Sequence, residues 1–370
     1  MREIIEQVEA WSQAGEPVAV ATVIGTWGSA PRAVGAKMAL TPAHHIAGSV
    51  SGGCVEGAVF EVGVETLAQK MPHLLHFGVA DATALEMVGL ACGGSIDVFV
   101  EPLTPALLSC WHEAFVTDTP VATATLVRGP AGYVGYKVMV GGDGAVRTSS
   151  QDERYNPITL QLLTSAQIAL REGNSKRLVL PVTLPAPVAM GGGGEPAGAE
   201  EEMEAFIDVI LPKPTLIIVG AVHIAIALTT IAKALGYHVV IIDPRAAFGN
   251  RDRFPHADQL IPEWPLKAFA ALAITRTTAI VTLTHDAKFD DPALQIALAS
   301  PAFYVGALGG TKTRAARRER LLKAGLTDSQ INILHAPIGL DIGTRTPEEI
   351  ALATMAQIVA ARNARAKPCA

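Results

Sequence analysis

Cysteine is scarce: four residues (Cys54, Cys92, Cys110, Cys369) in a chain of 370. That is no disulfide framework, so reduced cytoplasmic thiols are the expectation. No Cys-x-x-Cys pair is present, which removes the usual spacing of a structural zinc site. No apolar run reaches the roughly 18 residues a membrane helix needs. The Met1–Trp11 stretch mixes acids with Ile4, Ile5, Val8 and Trp11, the pattern of an amphipathic helix and not of a signal peptide. Positive charge is not in excess either, with a formal net charge of −6. The electrostatic footprint of a nucleic-acid binder is missing, and small-molecule or protein partners are expected.

What the chain has is length and apolar content, 370 residues at 49% hydrophobic, enough for two domains with real cores. Its most telling stretch is Ile46-Ala-Gly-Ser-Val-Ser-Gly-Gly-Cys-Val-Glu-Gly-Ala-Val59. Ile46 to Val50 reads as the end of a strand, Ser51-Gly52-Gly53 as a turn, and Val55, Ala58, Val59 and Val62 fall at helical spacing. Amide groups at such a helix start attract phosphate or another anion. A thiol there has its pKa drawn down from about 8.5, with Glu56 working against the shift. The plain alternative is that Cys54 is a small buried hydrophobe.

A second glycine turn, Gly89 to Ser95 with Cys92 inside it, feeds the strand Ile96–Glu101. The loop Gly25 to Arg32 follows a β-branched run from Pro17, and Ala122 to Val146 is hairpin-like. Residues 185–204 are rich in Pro, Gly, Ala and Glu and predict a mobile loop. Phe206 to Pro214 closes a first domain, 1–212, leaving 213–370 as the second.

The second domain alternates strands and helices: a C-terminal Rossmann-like, doubly wound parallel sheet beside an N-terminal α/β domain. Gly220-Ala-Val-His-Ile-Ala225 follows a strand and opens a helix, and Asp243 ends the next strand, where a ribose hydroxyl would lie. The middle glycine of the dinucleotide fingerprint is Val222, which adds bulk where pyrophosphate would sit and makes a bound nucleotide doubtful. In the plain reading Asp243 merely ends a strand or pairs with Arg245. His223 and the pair His285-Asp286 lie near the same sheet edge. Thr346-Pro-Glu-Glu349 is a capping box announcing the last helix.

Five motifs fall in one order: residues 25–32, 48–56, 89–94, Tyr304-Val-Gly-Ala-Leu-Gly-Gly310 and His335-Ala-Pro-Ile-Gly-Leu-Asp-Ile-Gly343. Together they resemble the XdhC/CoxI family of xanthine dehydrogenase accessory factors across nearly the whole chain. The resemblance implies a cytoplasmic, bacterial, non-catalytic chaperone that binds molybdenum cofactor in its molybdopterin form. It further implies that the protein receives the cofactor from biosynthesis proteins and holds it for sulfuration by a cysteine desulfurase. Delivery to a molybdenum hydroxylase apoenzyme follows, with a homodimer as the family's assembly. The departure is Val222, where the family usually has glycine.

Such a cofactor needs N–H donors for its phosphate, a cation, and a thiolate for a soft metal. Ser51, Gly52, Gly53 and the Cys54 amide are candidate donors, with Gly93 beside the second turn and Arg32 as a bidentate fork. Arg32's plain alternative is a surface ion pair. Cys54 and Cys92 are the candidate metal or sulfur contacts; Gly220, His223 and Asp243 are the candidate contacts of the Rossmann half. Zinc on the cysteines with His44, His45, His73 or His76 finds no regular ligand spacing. The competing function is an NAD(P)-linked oxidoreductase built on the C-terminal sheet.

Overall fold

The computed structural model describes residues 1–78, 93–130, 132–150, 152, 155–184 and 199–366. The chain divides into two compact units, Met1–Pro212 and Lys213–Ala370.

The first unit opens with helix α1 (Ile5–Gln13) and strands β1 (Ala19–Trp27), β2 (Lys37–Leu40) and β3 (Ile46–Gly48). Helix α2 (Glu56–Gln69) and strands β4 (His73–Phe77) and β5 (Ser95–Pro102) complete a sheet of order β3-β2-β1-β5-β4, antiparallel throughout. The same sequence of elements then recurs. Helix α3 (Pro105–Val116), strands β6 (Val121–Arg128), β7 (Lys137–Gly141) and β8 (Val146–Thr148), helix α4 (Asn156–Glu172), and strands β9 (Lys176–Leu184) and β10 (Ala199–Ile210) follow. Their sheet has order β8-β7-β6-β10-β9.

The repetition is register-true. Thr22 pairs with Lys37 as Thr125 pairs with Lys137. Thr22 lies opposite Phe99 as Thr125 lies opposite Phe206. Gly35 and Gly135 both turn at positive φ, +88° and +92°. Ser49 and Ser149 each donate their amide to the carbonyl of the lysine, at 3.0 Å in both copies. The first unit is an internal duplication.

Period-two alternation gives each central strand two buried faces. Ala19, Ala21 and Val23 pack with Val55 and Val59 of the α2 side, and Ala122, Ala124 and Leu126 pack with Ile158 and Leu162 of α4. The opposite faces meet in a middle layer with Ile24, Phe99, Val127 and Phe206, and α1 and α3 join that side through Val8, Leu107 and Trp111. Two buried lysines cross this layer: Lys37 reaches Asp208 at 2.8 Å and Lys137 pairs with Glu101. Each copy's lysine meets the other copy's acid.

Of the mobile loop expected over 185–204, residues 199–204 are strand instead. Residues 185–198 lie outside the described residues, and a 12-residue strand starts at Ala199. The reason is alternation: Met203, Ala205 and Ile207 are buried while the intervening Glu202, exposed, and Glu204, half-buried, face outward, a strand pattern that the neighbouring glycines hide.

The second unit runs β11 (Thr215–Val219), α5 (His223–Ala234), β12 (His238–Ile242), β13 (Gln259–Ile261), α6 (Pro265–Ala270), β14 (Thr278–Thr282) and α7 (Ala287–Ala299). It continues with β15 (Tyr304–Ala307), α8 (Thr311–Lys323), α9 (Asp328–Asn332), β16 (Leu334–His335) and α10 (Pro347–Ala366). The sheet order β13-β12-β11-β14-β15-β16, parallel throughout, is the dinucleotide-fold order with its switch between β11 and β14. Leu216, Ile218, Val239 and Ile241 pack with α5 and α10; Ile217, Val219, Val240 and Ile242 pack on the opposite face with Leu294 of α7 and Leu321 of α8. At the start of α10 the capping box is formed, Glu349 N donating to Thr346 Oγ1 at 3.3 Å and Thr346 N to the Glu349 carboxylate at 3.1 Å.

Candidate functional site

The pairings gather several connections at one end of the first sheet. Trp27 ends β1 opposite Ser95 at the start of β5, Phe77 ends β4 opposite Ile96, and Gly48 ends β3 opposite Met38 at the start of β2. The turn carrying Cys54, the loop after Trp27, and the residues Gly78 and Gly93 therefore share that end. Gly94 is pressed against the 27–29 loop: a Cβ there would sit 2.3 Å from the Ser29 carbonyl oxygen.

Cys54 is exposed, not the buried hydrophobe of the plain reading. Its turn is held by Glu56. The Glu56 carboxylate accepts from the Ser49 hydroxyl (2.6 Å), the Ser51 amide (2.9 Å) and hydroxyl (2.5 Å), the Gly52 amide (3.0 Å) and the Gly53 amide (2.8 Å). The Cys54 amide donates to Ser51 Oγ at 3.0 Å. Gly52 and Gly53 adopt φ of +83° and +126°, which side chains disfavour, and so aim successive amides inward. The cradle expected for a phosphate is real, but the chain's own carboxylate fills it. Ser51, Gly52, Gly53 and the Cys54 amide spend their donors within the turn.

Burial is the largest single influence on Glu56 and raises its pKa, yet the hydroxyl and amide hydrogen bonds outweigh it and bring the group down to about 2 from its ordinary 4.5. A depressed folded-state pKa stabilises fully above the unfolded value and is lost as pH falls through the folded one. Wild type is therefore expected to lose stability between pH 4.5 and about 2 through this turn. Glu56→Gln should flatten that part of the pH profile and cost about 1–2 kcal/mol at neutral pH, allowing for solvent screening of a half-exposed group. Chemical denaturation at stepped pH measures both.

Arg32 is paired with Glu3 at the surface, the plain alternative for that residue. Cys92 lies outside the described residues; Gly93, next to it, is exposed at φ +74°. His45 bonds Glu16, His73 bonds Thr66 and His44 stacks on Phe60. Among the described residues no group of three or more His, Cys, Asp or Glu is placed to hold a metal ion.

In the second unit Gly220 turns at φ +106°, close enough that a Cβ would lie 2.5 Å from Thr284 Cγ2, and Val222 caps α5. Asp243 is buried and fully engaged. Its oxygens accept from the Ala221 amide at 2.8 Å and from Arg245 Nε and a terminal guanidinium nitrogen at 2.8 and 2.7 Å. Arg253 donates to the Ala221 and Phe248 carbonyls at 2.8 Å each, drawing the segment after β12 over the glycine turn. Asp243 thus makes the pair with Arg245 and leaves no oxygen free for a ribose. His223 is exposed, 3.8 Å from Glu348.

Residues 216–358 match the XdhC Rossmann domain, and residues 11–78 match the XdhC and CoxI family. The chain belongs to the XdhC and CoxI family. Relatives of this XdhC/CoxI chain include a Bacillus subtilis protein whose name makes it a probable subunit of xanthine dehydrogenase, 26% identical over 94% of both chains. Another is the Escherichia coli molybdenum cofactor insertion chaperone PaoD, 24% identical over 94% of this chain and 84% of PaoD. The fold is that of a solved Bacillus halodurans structure described as a xanthine dehydrogenase, with TM-score 0.67, 22% identity, and coverage of 98% and 96% of the two chains. In this XdhC/CoxI protein the open end of the first sheet also holds a cluster that the motifs do not announce. His76 Nδ1 lies 2.6 Å from buried Asp97, and Arg177 joins Asp97 to Glu204. Its members are far apart in sequence, and the two acids read as ordinary strand residues.

Proposed function

We propose that this chain is a maturation factor that binds molybdenum cofactor, with Cys54 as the thiolate contact to the metal. In this reading it receives the cofactor from biosynthesis proteins, keeps it accessible to a cysteine desulfurase, and passes it to a xanthine dehydrogenase-type molybdenum hydroxylase apoenzyme, acting as a homodimer. The observation that carries the reading is an exposed thiol on a rigid glycine turn in a chain that aligns over 94% of its length with a named cofactor insertion chaperone.

The donor set fits the metal and not the phosphate. A soft thiolate suits molybdenum. The amide cradle is occupied by Glu56, so the turn orients the thiol instead of holding a phosphate. When bound, the cofactor supplies the redox-active metal that the partner enzyme uses. The chain's own part is to bind and orient: Ser51 and Glu56 lock the turn, and the Cys54 sulfur would hold the metal. No turnover is required.

The competing reading, an NAD(P)-linked oxidoreductase, is disfavoured by Val222 and by an Asp243 whose oxygens are already bonded. Protein purified without oxygen from cells making the cofactor should carry molybdenum and pterin near equimolar with the chain, by metal mass spectrometry and pterin fluorescence. Wild-type protein that neither holds the cofactor nor takes it up from a donor would overturn the reading.

A further inference from the structure

The duplication in the first unit contains its own control. Positions that serve the shared scaffold keep their chemistry in both copies: Thr22 and Thr125, Lys37 and Lys137, Phe99 and Phe206, Glu101 and Asp208. Even the bulge is shared, Asp97 lying opposite Gly25 as Glu204 lies opposite Arg128. Positions that diverge at matched places mark what one copy does and the other does not.

Three such positions cluster at the open end of the first sheet. Gly25, Trp27 and His76 stand where the second copy has Arg128, Pro130 and Val179; His76 lies opposite Asp97 as Val179 lies opposite Glu204. The three first-copy residues work together. A Cβ on Gly25 would sit 2.9 Å from the Trp27 ring, so the missing side chain lets the indole lie down over β1. Even so, Trp27 is 51% exposed, an unusual place for a large aromatic. The His76 ring lies 6.3 Å from it, tilted by 57°. Asp97, held from behind by Arg177, accepts the Nδ1 hydrogen of His76, and in the neutral imidazole the lone pair then lies on Nε2. That imidazole is itself 58% exposed.

We propose that Trp27 and His76 form a platform for a flat heterocycle bearing N–H groups, the pterin ring of the cofactor, with the indole against its face and His76 Nε2 accepting one of its hydrogens. This rests on the cofactor-binding reading above and adds where the ring sits. Stacking of a heterocycle on an aromatic side chain is tolerant of ring substituents, while the acceptor on Nε2 selects rings that present N–H. Gly25 keeps the indole flat, and Asp97 fixes the tautomer.

The test is isothermal titration of the full chain with pterin-6-carboxylic acid, and separately with molybdenum cofactor released from a donor enzyme. Trp27→Ala and His76→Leu should each weaken pterin binding by about tenfold or more. The melting temperature of Trp27→Ala should stay near the wild-type value, since that side chain is half in solvent, whereas His76→Leu also gives up its bond to buried Asp97 and should melt lower while remaining folded. His76→Gln, which offers a carbonyl acceptor, should recover part of the loss. Unchanged pterin affinity in both variants, or no saturable pterin binding by wild type, overturns the platform even when the complete cofactor binds at Cys54. Pterin binding that depends on Trp27, in a wild type that never takes up the complete cofactor, sustains the platform and overturns the chaperone reading instead.

Discussion

Cys54→Ala is expected to fold normally and to lose on the order of tenfold or more of its bound molybdenum and pterin. The two halves of that expectation have separate causes. The fold persists because the thiol is exposed and the turn is held by other groups: the Glu56 carboxylate, the Ser51 hydroxyl and the positive-φ glycines are untouched, and the Cys54 amide keeps its bond to Ser51 Oγ. Exposed substitutions of this kind stay within about 0.5 kcal/mol. Binding falls because alanine leaves no soft donor on that turn. Cys110→Ala is the natural control. That thiol is buried beside Leu107 and Trp111 on α3, and burial pushes its pKa up, so it is a packing residue. Its loss should lower the melting temperature a little and leave cofactor content unchanged. Metal mass spectrometry, pterin fluorescence and thermal melts on the three proteins decide the matter, and a Cys54→Ala protein with wild-type cofactor content sinks the assignment.

The largest effect on stability is expected in the middle layer. Lys137 is buried, bonds Thr125 Oγ1 at 3.0 Å and pairs with Glu101 of the other copy. Burial is the main influence on its ammonium and pushes its pKa below the usual lysine range, so the charge is held at a cost that Glu101 offsets. Lys137→Met removes the cation and leaves Glu101 buried without its counter-charge, which costs about 3–5 kcal/mol. The double variant Lys137→Met, Glu101→Leu removes both charges together and should recover most of that loss, because apolar replacement of a whole buried pair is often neutral. Urea unfolding of the single and double variants gives the coupling. Equal destabilisation in single and double would mean that the lysine acts through its packing, for instance over the Phe99 ring 5.8 Å away, and not through its charge.

The second unit was legible because most of its strands are self-contained apolar runs followed by a helix, β12 excepted, and because Thr346 and Glu349 spell out a cap. The glycine turn before α2 was legible as an anion cradle, since Gly52 and Gly53 can do little else. That the anion is Glu56 shows only in the folded chain: nothing in a sequence says which way a carboxylate in a helix's first turn will bend. The duplication left only a thin trace. Pro17-Val-Ala-Val-Ala-Thr22 and Pro120-Val-Ala-Thr-Ala-Thr125 are similar, but the glycine turn of the first copy has no counterpart in the second, and the strand pairings make the match. Asp97, Arg177 and Glu204 were invisible for the same reason, being brought together only by the meeting of two sheets.

The crossed pairing of lysines and acids also sets an order of events at the ribosome. When the first copy has emerged, Lys37 and Glu101 are both present, but their counter-charges, Asp208 and Lys137, belong to the copy still to be made. Two charges without partners resist the drying of the surface that carries them. The pairing seen in the folded chain is complete only when β10, the last strand of the second copy, supplies Asp208. Contacts so distant along the chain close slowly.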